Sequence, residues 1–168
     1  MPQDKSLQMN QTIETAILQL QTLLQSAPAE NTLLNPAMEM PVRRIGGLDY
    51  IGMVEIPALQ LRLPVVSRWS YPNLRRAPCR YSGSVYQNNL VLAGHNYPSH
   101  FGRLRALHIG DAVLFSDADG RTFSYAVSSL ATTSPTETET LPASGLTLFT
   151  CTPGGQHRLI VCCRPAES

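Results

Sequence analysis

Residues 56–110 contain no carboxylate, and lysine is nearly absent from the whole chain. The 13 basic and 12 acidic side chains leave a net charge of +1, which excludes histone-like and strongly acidic proteins. Cysteine is sparse: Cys79, Cys151, Cys162 and Cys163 are too few for a disulfide scaffold, and no CxxC pair suggests a zinc ribbon. No apolar run is long enough to cross a membrane. The best stretch, residues 14–30, carries Gln19, Gln21 and Gln25 and ends near Pro28. No charged start followed by an apolar core marks a secretory signal. What remains is 168 residues, 43% hydrophobic and 15% charged, enough for one globular domain with a buried core.

The missing carboxylates leave Arg62, Arg68, Arg75, Arg76, Arg80, Arg103 and Arg105 without acidic neighbours in sequence. They could form a basic face for anionic polymers or be scattered, solvated side chains. No nucleic-acid motif accompanies them, so nucleic acid is not an expected partner.

Residues 5–26 place Ile13, Ile17, Leu20 and Leu24 on one helical face. A linker with Pro28, Pro36 and Pro41 follows, so residues 1–46 are expected as an N-terminal helix and arm, and 47–168 as the main domain. From residue 50 the pattern becomes strand-like. Strands are expected over 50–56, 61–66, 89–93, 112–115, 122–127, 146–150 and 158–163, a loop over 71–80, and a short helix over 101–107. Asp117-Ala118-Asp119-Gly120 is a hairpin turn signal, 132–145 a polar loop, and Thr152-Pro153-Gly154-Gly155 a turn. About eight short strands with few helices suggest a mainly β fold, a closed barrel or a sandwich.

Three residues could carry chemistry. Cys151 stands where an apolar strand meets a Pro-Gly-Gly turn. A thiol there attacks a carbonyl once it is a thiolate or has a base nearby; otherwise it is a small buried hydrophobe. His95 follows a buried strand and Gly94, and can act as general acid and then base. His100, His108 and His157 are weaker candidates. Arg158 opens the last strand, seven positions past Cys151, where a hairpin would bring it back to the thiol to donate to an oxyanion or a substrate backbone. A tyrosine-phosphatase loop does not fit, because six residues separate Cys151 from Arg158, Pro153 lies inside, and a β-run follows.

Thr147-Leu148-Phe149-Thr150-Cys151 resembles the TLxTC signature of the sortases. Ala93-Gly94-His95-Asn96 resembles their histidine motif, and Arg158 matches the arginine on the following strand. The order and the 56-residue spacing from His95 to Cys151 also fit, over roughly residues 47–164. The resemblance implies a closed eight-stranded sortase-type β-barrel with short helices and an N-terminal helix. It implies a cysteine transpeptidase that needs no cofactor and no metal. Cys151, His95 and Arg158 would be catalytic, and Asn96 and Thr150 would contact substrate.

The implied partners are a sorting-motif peptide of secreted surface proteins and an amine acceptor from peptidoglycan or a pilin. The implied location is the cell surface of a Gram-positive bacterium. Membrane attachment would come only through an anchor not seen in this chain. Residues 94–104 are similar to class B sortases, although the 132–145 loop is shorter than in that class. Some sortases bind calcium before the cysteine strand, but here that loop offers only Glu137 and Glu139. A hydrolytic cysteine peptidase and a non-catalytic barrel that binds peptide or wall polymer are the alternatives. Leu141-Pro142-Ala143-Ser144-Gly145 resembles a sorting signal, but the cysteine strand follows it, so it is expected to be an ordinary loop. Cys79, Cys162 and Cys163 are expected as thiols, with Cys162 and Cys163 facing opposite ways on one strand.

Overall fold

The computed structural model describes residues 37–95, 100–133, 144–151 and 158–166. The expected helix over 5–26, residue Asn96, Glu137 and Glu139, the Leu141–Ala143 part of the signal-like loop, the 152–155 turn and His157 lie outside these residues.

Nine strands form one sheet: β1 (Arg43–Ile45), β2 (Leu48–Ile56), β3 (Leu61–Val66), β4 (Cys79–Ser82), β5 (Asn89–His95), β6 (Ala112–Asp117), β7 (Thr122–Thr133), β8 (Gly145–Cys151) and β9 (Arg158–Pro165). Their order is β1-β2-β3-β4-β5-β8-β9-β7-β6, and β6 pairs back onto β2. Eight strands therefore close into the expected barrel, and β1 is a short hairpin arm on β2. Closure depends on Gly52. There β2 shifts register against β3 while pairing with β6, and a Cβ would sit 1.9 Å from the Ser116 carbonyl oxygen. Its φ of +152° is also unfavourable for a side chain.

Alternation along the strands sorts residues into two clusters. Leu90, Leu92, Leu146, Leu148, Leu159, Val161 and Cys163 fill the barrel interior with Ile51, Val54 and Phe115. Their neighbours Val91, Ala93, Phe149 and Ile160 belong to a second cluster on the outside, with Cys162 packed against it. Cys162 and Cys163 thus face opposite ways, and Cys79, Cys162 and Cys163 are thiols.

The outer cluster is covered by the segment over 67–78. β3 and β4 run parallel, so this segment must cross over the sheet. Inside it, Ser70 caps a four-residue helix, α1 (Tyr71–Leu74), by accepting from the Asn73 N–H at 3.1 Å. Pro72 suits the first turn, where its missing N–H costs nothing. Leu74 and Ala77 are buried against Val91 and Phe149.

At the β6–β7 turn, Asp117 is fully buried. Its carboxylate accepts from the N–H groups of Asp119 and Arg121 at 3.0 and 2.9 Å, from the Tyr86 hydroxyl at 2.5 Å and from the Arg121 guanidinium at 3.2 Å. The helix expected over 101–107 is a single 3-10 turn, Leu104–Ala106. The strand expected over 122–127 extends to Thr133, through the start of the expected polar loop, because β9 pairs along it.

Candidate active site

β5 and β8 are 50 residues apart in sequence yet run side by side in parallel. Their ladder starts at Asn89↔Gly145 and ends at His95↔Cys151. The two residues singled out in the sequence are thus direct partners at the ends of adjacent strands. Such strands lie about 4.8 Å apart, and paired residues share a face. On β5, position 95 continues the alternation of Val91 and Ala93 on the outer face.

β8 and β9 pair antiparallel from Leu146↔Cys163 to Phe149↔Ile160. This pairing stops two residues short of Cys151 and Arg158, and Arg158 pairs on its other side with Thr133 of β7. Just before that point a side chain enters the ladder: the buried Thr150 hydroxyl oxygen accepts from the Leu159 N–H at 3.2 Å. Thr150 therefore bridges the two strands beneath the positions of Cys151 and Arg158.

His95 is held from below. Phe101 donates its backbone N–H to the His95 carbonyl at 3.1 Å, closing the segment that leaves β5. The Phe101 ring is fully buried and lies against Gly94. A Cβ on Gly94 would fall 2.1 Å from a ring carbon. The glycine before the histidine is thus required by close approach of the ring that anchors the histidine's segment.

Partial burial, and then the positive charge of Arg75, lower the pKa of His95 below the ordinary histidine value. Neutral imidazole is favoured, which suits a base. His100 is 3% exposed, and burial followed by the nearby His95 pushes it down to about 4. It stays neutral at physiological pH and cannot compete with His95 as a second cation. The other weaker candidate within the described residues, His108, is exposed at the surface beside Asp111.

Sequence reasoning missed three contributors to this site. Arg75 was one of seven arginines with nothing to distinguish it. Trp69, Tyr71 and Tyr81 meet only through the crossover: Trp69 lies 5.5 Å from Tyr71 and 5.6 Å from Tyr81, and Tyr81 meets Phe149 edge-on at 5.1 Å. Gly94 and Phe101 were read separately, as a helix breaker and as the start of a helix. Among the described residues no helix is long and apolar enough to cross a membrane, and no group of three or more His, Cys, Asp or Glu could hold a metal ion.

The sortase domain family matches residues 54–166, about two thirds of the chain. No curated protein matches it. Similar solved structures include sortase C1 of Streptococcus suis, with 28% identity, 71% of this chain and 74% of that one covered, and a TM-score of 0.62. Sortase C of Streptococcus pneumoniae gives 22% identity, 99% and 96% coverage and a TM-score of 0.66. Sortase A of Listeria monocytogenes gives 20% identity, 70% and 88% coverage and a TM-score of 0.60. These three are of classes C and A, and the class B likeness of residues 94–104 has no counterpart among them. The match across the barrel and both strands that end at His95 and Cys151 carries the conclusion: the chain belongs to the sortase family, whose members are cysteine transpeptidases.

Proposed function

We propose that Cys151, His95 and Arg158 cleave a sorting motif in a surface protein and transfer the new carboxyl end to an amine. The Cys151 thiolate attacks a backbone carbonyl of the motif. Arg158 donates to the oxygen that becomes negative, or to the motif's backbone. The tetrahedral intermediate collapses with cleavage of the C–N bond, and His95 in its protonated form gives the leaving amine its proton. A thioester on Cys151 remains. An acceptor amine from peptidoglycan or a pilin then attacks the thioester, His95 takes its proton, and the thiolate leaves. Asn96 and Thr150 are the flanking substrate contacts, Thr150 through its backbone because its hydroxyl engages Leu159. This chemistry belongs at the surface of a Gram-positive cell, with the enzyme tethered through a membrane anchor.

The observation that supports this reading is the His95↔Cys151 register on adjacent parallel strands. The test is product analysis on a small library of sorting-motif peptides, with and without an added amine. The expected result is an amide product that requires the amine, a covalent adduct at Cys151, and loss of both in Cys151→Ala with the circular dichroism spectrum unchanged. Cleavage that ignores the amine would instead identify a hydrolytic peptidase. A thiol whose alkylation rate is indifferent to His95→Ala would identify a binding module.

A further inference from the structure

We propose that the outer surface formed by Trp69, Tyr71, Tyr81, Arg75 and Arg76 docks the amine acceptor, and that this acceptor is a peptide bearing a carboxylate close to its nucleophilic amine. The role of the amine rests on the transpeptidase reading above. The carboxylate is inferred from this surface alone.

The three rings are in continuous contact and open to solvent, with Trp69 39%, Tyr71 71% and Tyr81 38% exposed. Tyr81 touches Phe149, which lies two residues before Cys151 in the same phase of β8. The aromatic platform therefore runs up to the strand that ends at the nucleophile. Exposed rings of this kind give a peptide rigid, amphipathic contact at little entropic cost.

Arg43, Arg44, Arg62 and Arg121 all pair with carboxylates. Among the described residues, Arg68, Arg75 and Arg76 pair with none. Arg68 is close enough to Arg80 to disfavour its charge, Arg76 acts on Tyr50, and Arg75 acts on His95. One carboxylate, Glu39, acts on this surface through Arg80. Arg75 and Arg76 are exposed and directly follow α1, whose first residue is Tyr71, and exposed guanidinium groups match a carboxylate, which they bind through paired N–H donors.

The position of Arg75 selects the acceptor rather than the sorted protein as the occupant. After the first half-reaction the acyl chain is bonded to Cys151, and the incoming amine must meet the thioester beside His95. Its nitrogen forms the new C–N bond, the C–S bond breaks, the electron pair returns to the Cys151 sulfur, and the amine proton passes to His95. A carboxylate seated on Arg75 brings a neighbouring amine to that imidazole. It also offsets the Arg75 charge, which after burial is the lesser cause of the lowered His95 pKa.

Trp69 is the only tryptophan, so its fluorescence reports on this surface directly. The Cys151→Ala protein is titrated with Gly-Asp-amide, with Gly-Asn-amide, which lacks the side-chain carboxylate, and with phosphatidylglycerol vesicles. Gly-Asp-amide is expected to give a saturable change about tenfold tighter than Gly-Asn-amide, the difference of one charge-assisted contact. That preference should weaken as salt is raised, and disappear in Arg75→Gln/Arg76→Gln but not in Arg62→Gln. Equal affinity for the two dipeptides, a preference that survives Arg75→Gln/Arg76→Gln, or a response to vesicles alone overturns the proposal. Because Cys151→Ala cannot turn over, this measurement is independent of the enzymatic reading. If wild type forms no amide while carboxylate binding is intact, the transpeptidase reading and the acceptor role fail together, and the carboxylate site alone stands.

Discussion

Two arginine-bearing regions of the barrel treat charge in opposite ways. At the β6–β7 turn, Arg121 meets Asp117 and Asp119, and Asp117 spends both carboxylate oxygens on partners within the chain. Over residues 67–81, Arg68, Arg75 and Arg76 have no such partner among the described residues, and exposed rings lie between them. The first region is a closed electrostatic unit whose output is stability. The second leaves charge unspent beside β5, as expected of a surface that meets something else.

The largest effect should come from the closed unit. Asp117→Ala strands the Tyr86 hydroxyl and two backbone N–H groups and leaves Arg121 with Asp119 alone, and is expected to cost about 3–5 kcal/mol in denaturant unfolding. At a temperature where the variant stays folded, thiol alkylation kinetics at Cys151 should match wild type; a large kinetic change would erase the contrast between the regions.

Acid should destabilise the site region next. His100 has an ordinary pKa of about 6.5 when unfolded and about 4 when folded, so the unfolded chain binds more protons between those values. Stability is therefore full above about pH 6.5 and falls toward pH 4, by on the order of 3 kcal/mol. Thermal melts across that range should show this slope flattened in His100→Gln.

Gly94→Ala is a smaller perturbation aimed at the site. Its methyl group must displace the buried Phe101 ring, for a cost of about 1–3 kcal/mol. Turnover should fall by more than the stability change explains, because Phe101 also holds the His95 carbonyl; unchanged kcat in folded protein would separate the ring from the site.

The smallest stability effect belongs to the open region. Arg75→Gln should leave unfolding within about 0.5 kcal/mol of wild type. It should nevertheless move the His95 titration, followed by NMR, to higher pH, since a positive charge that disfavours imidazolium has gone. No movement would place Arg75 outside the site.

Local signals located most of the strands. The Asp-Gly turn at 117–120 was visible, and the strands expected over 89–93 and 146–150 end within two residues of His95 and Cys151, because each depends on a few adjacent residues. β4 was missed, its start lying in the expected 71–80 loop, because four residues are too few to show alternation. Gly46-Gly47, at the boundary expected between the arm and the main domain, is the turn of the β1–β2 hairpin. The same dipeptide serves either purpose, and only pairing decides. α1 was invisible because four residues containing a proline show no helical period. The parallel pairing of β5 with β8 was not legible from local pattern. It joins segments 50 residues apart, and only the family's motif order hinted that His95 and Cys151 meet. The aromatic contacts and the isolation of Arg75 depend on a crossover whose path no local pattern specifies.

The β5–β8 ladder has a consequence for engineering. Its register is fixed at Asn89↔Gly145, six residue pairs before the reactive end, by buried leucines and valines. The loops between the two strands can therefore be lengthened, shortened or grafted from a relative without shifting this register, provided Phe101 still holds the His95 carbonyl and the β6–β7 hairpin still seals the barrel. Loop and register become separable modules, and new loops can be installed on an unchanged His95↔Cys151 pairing.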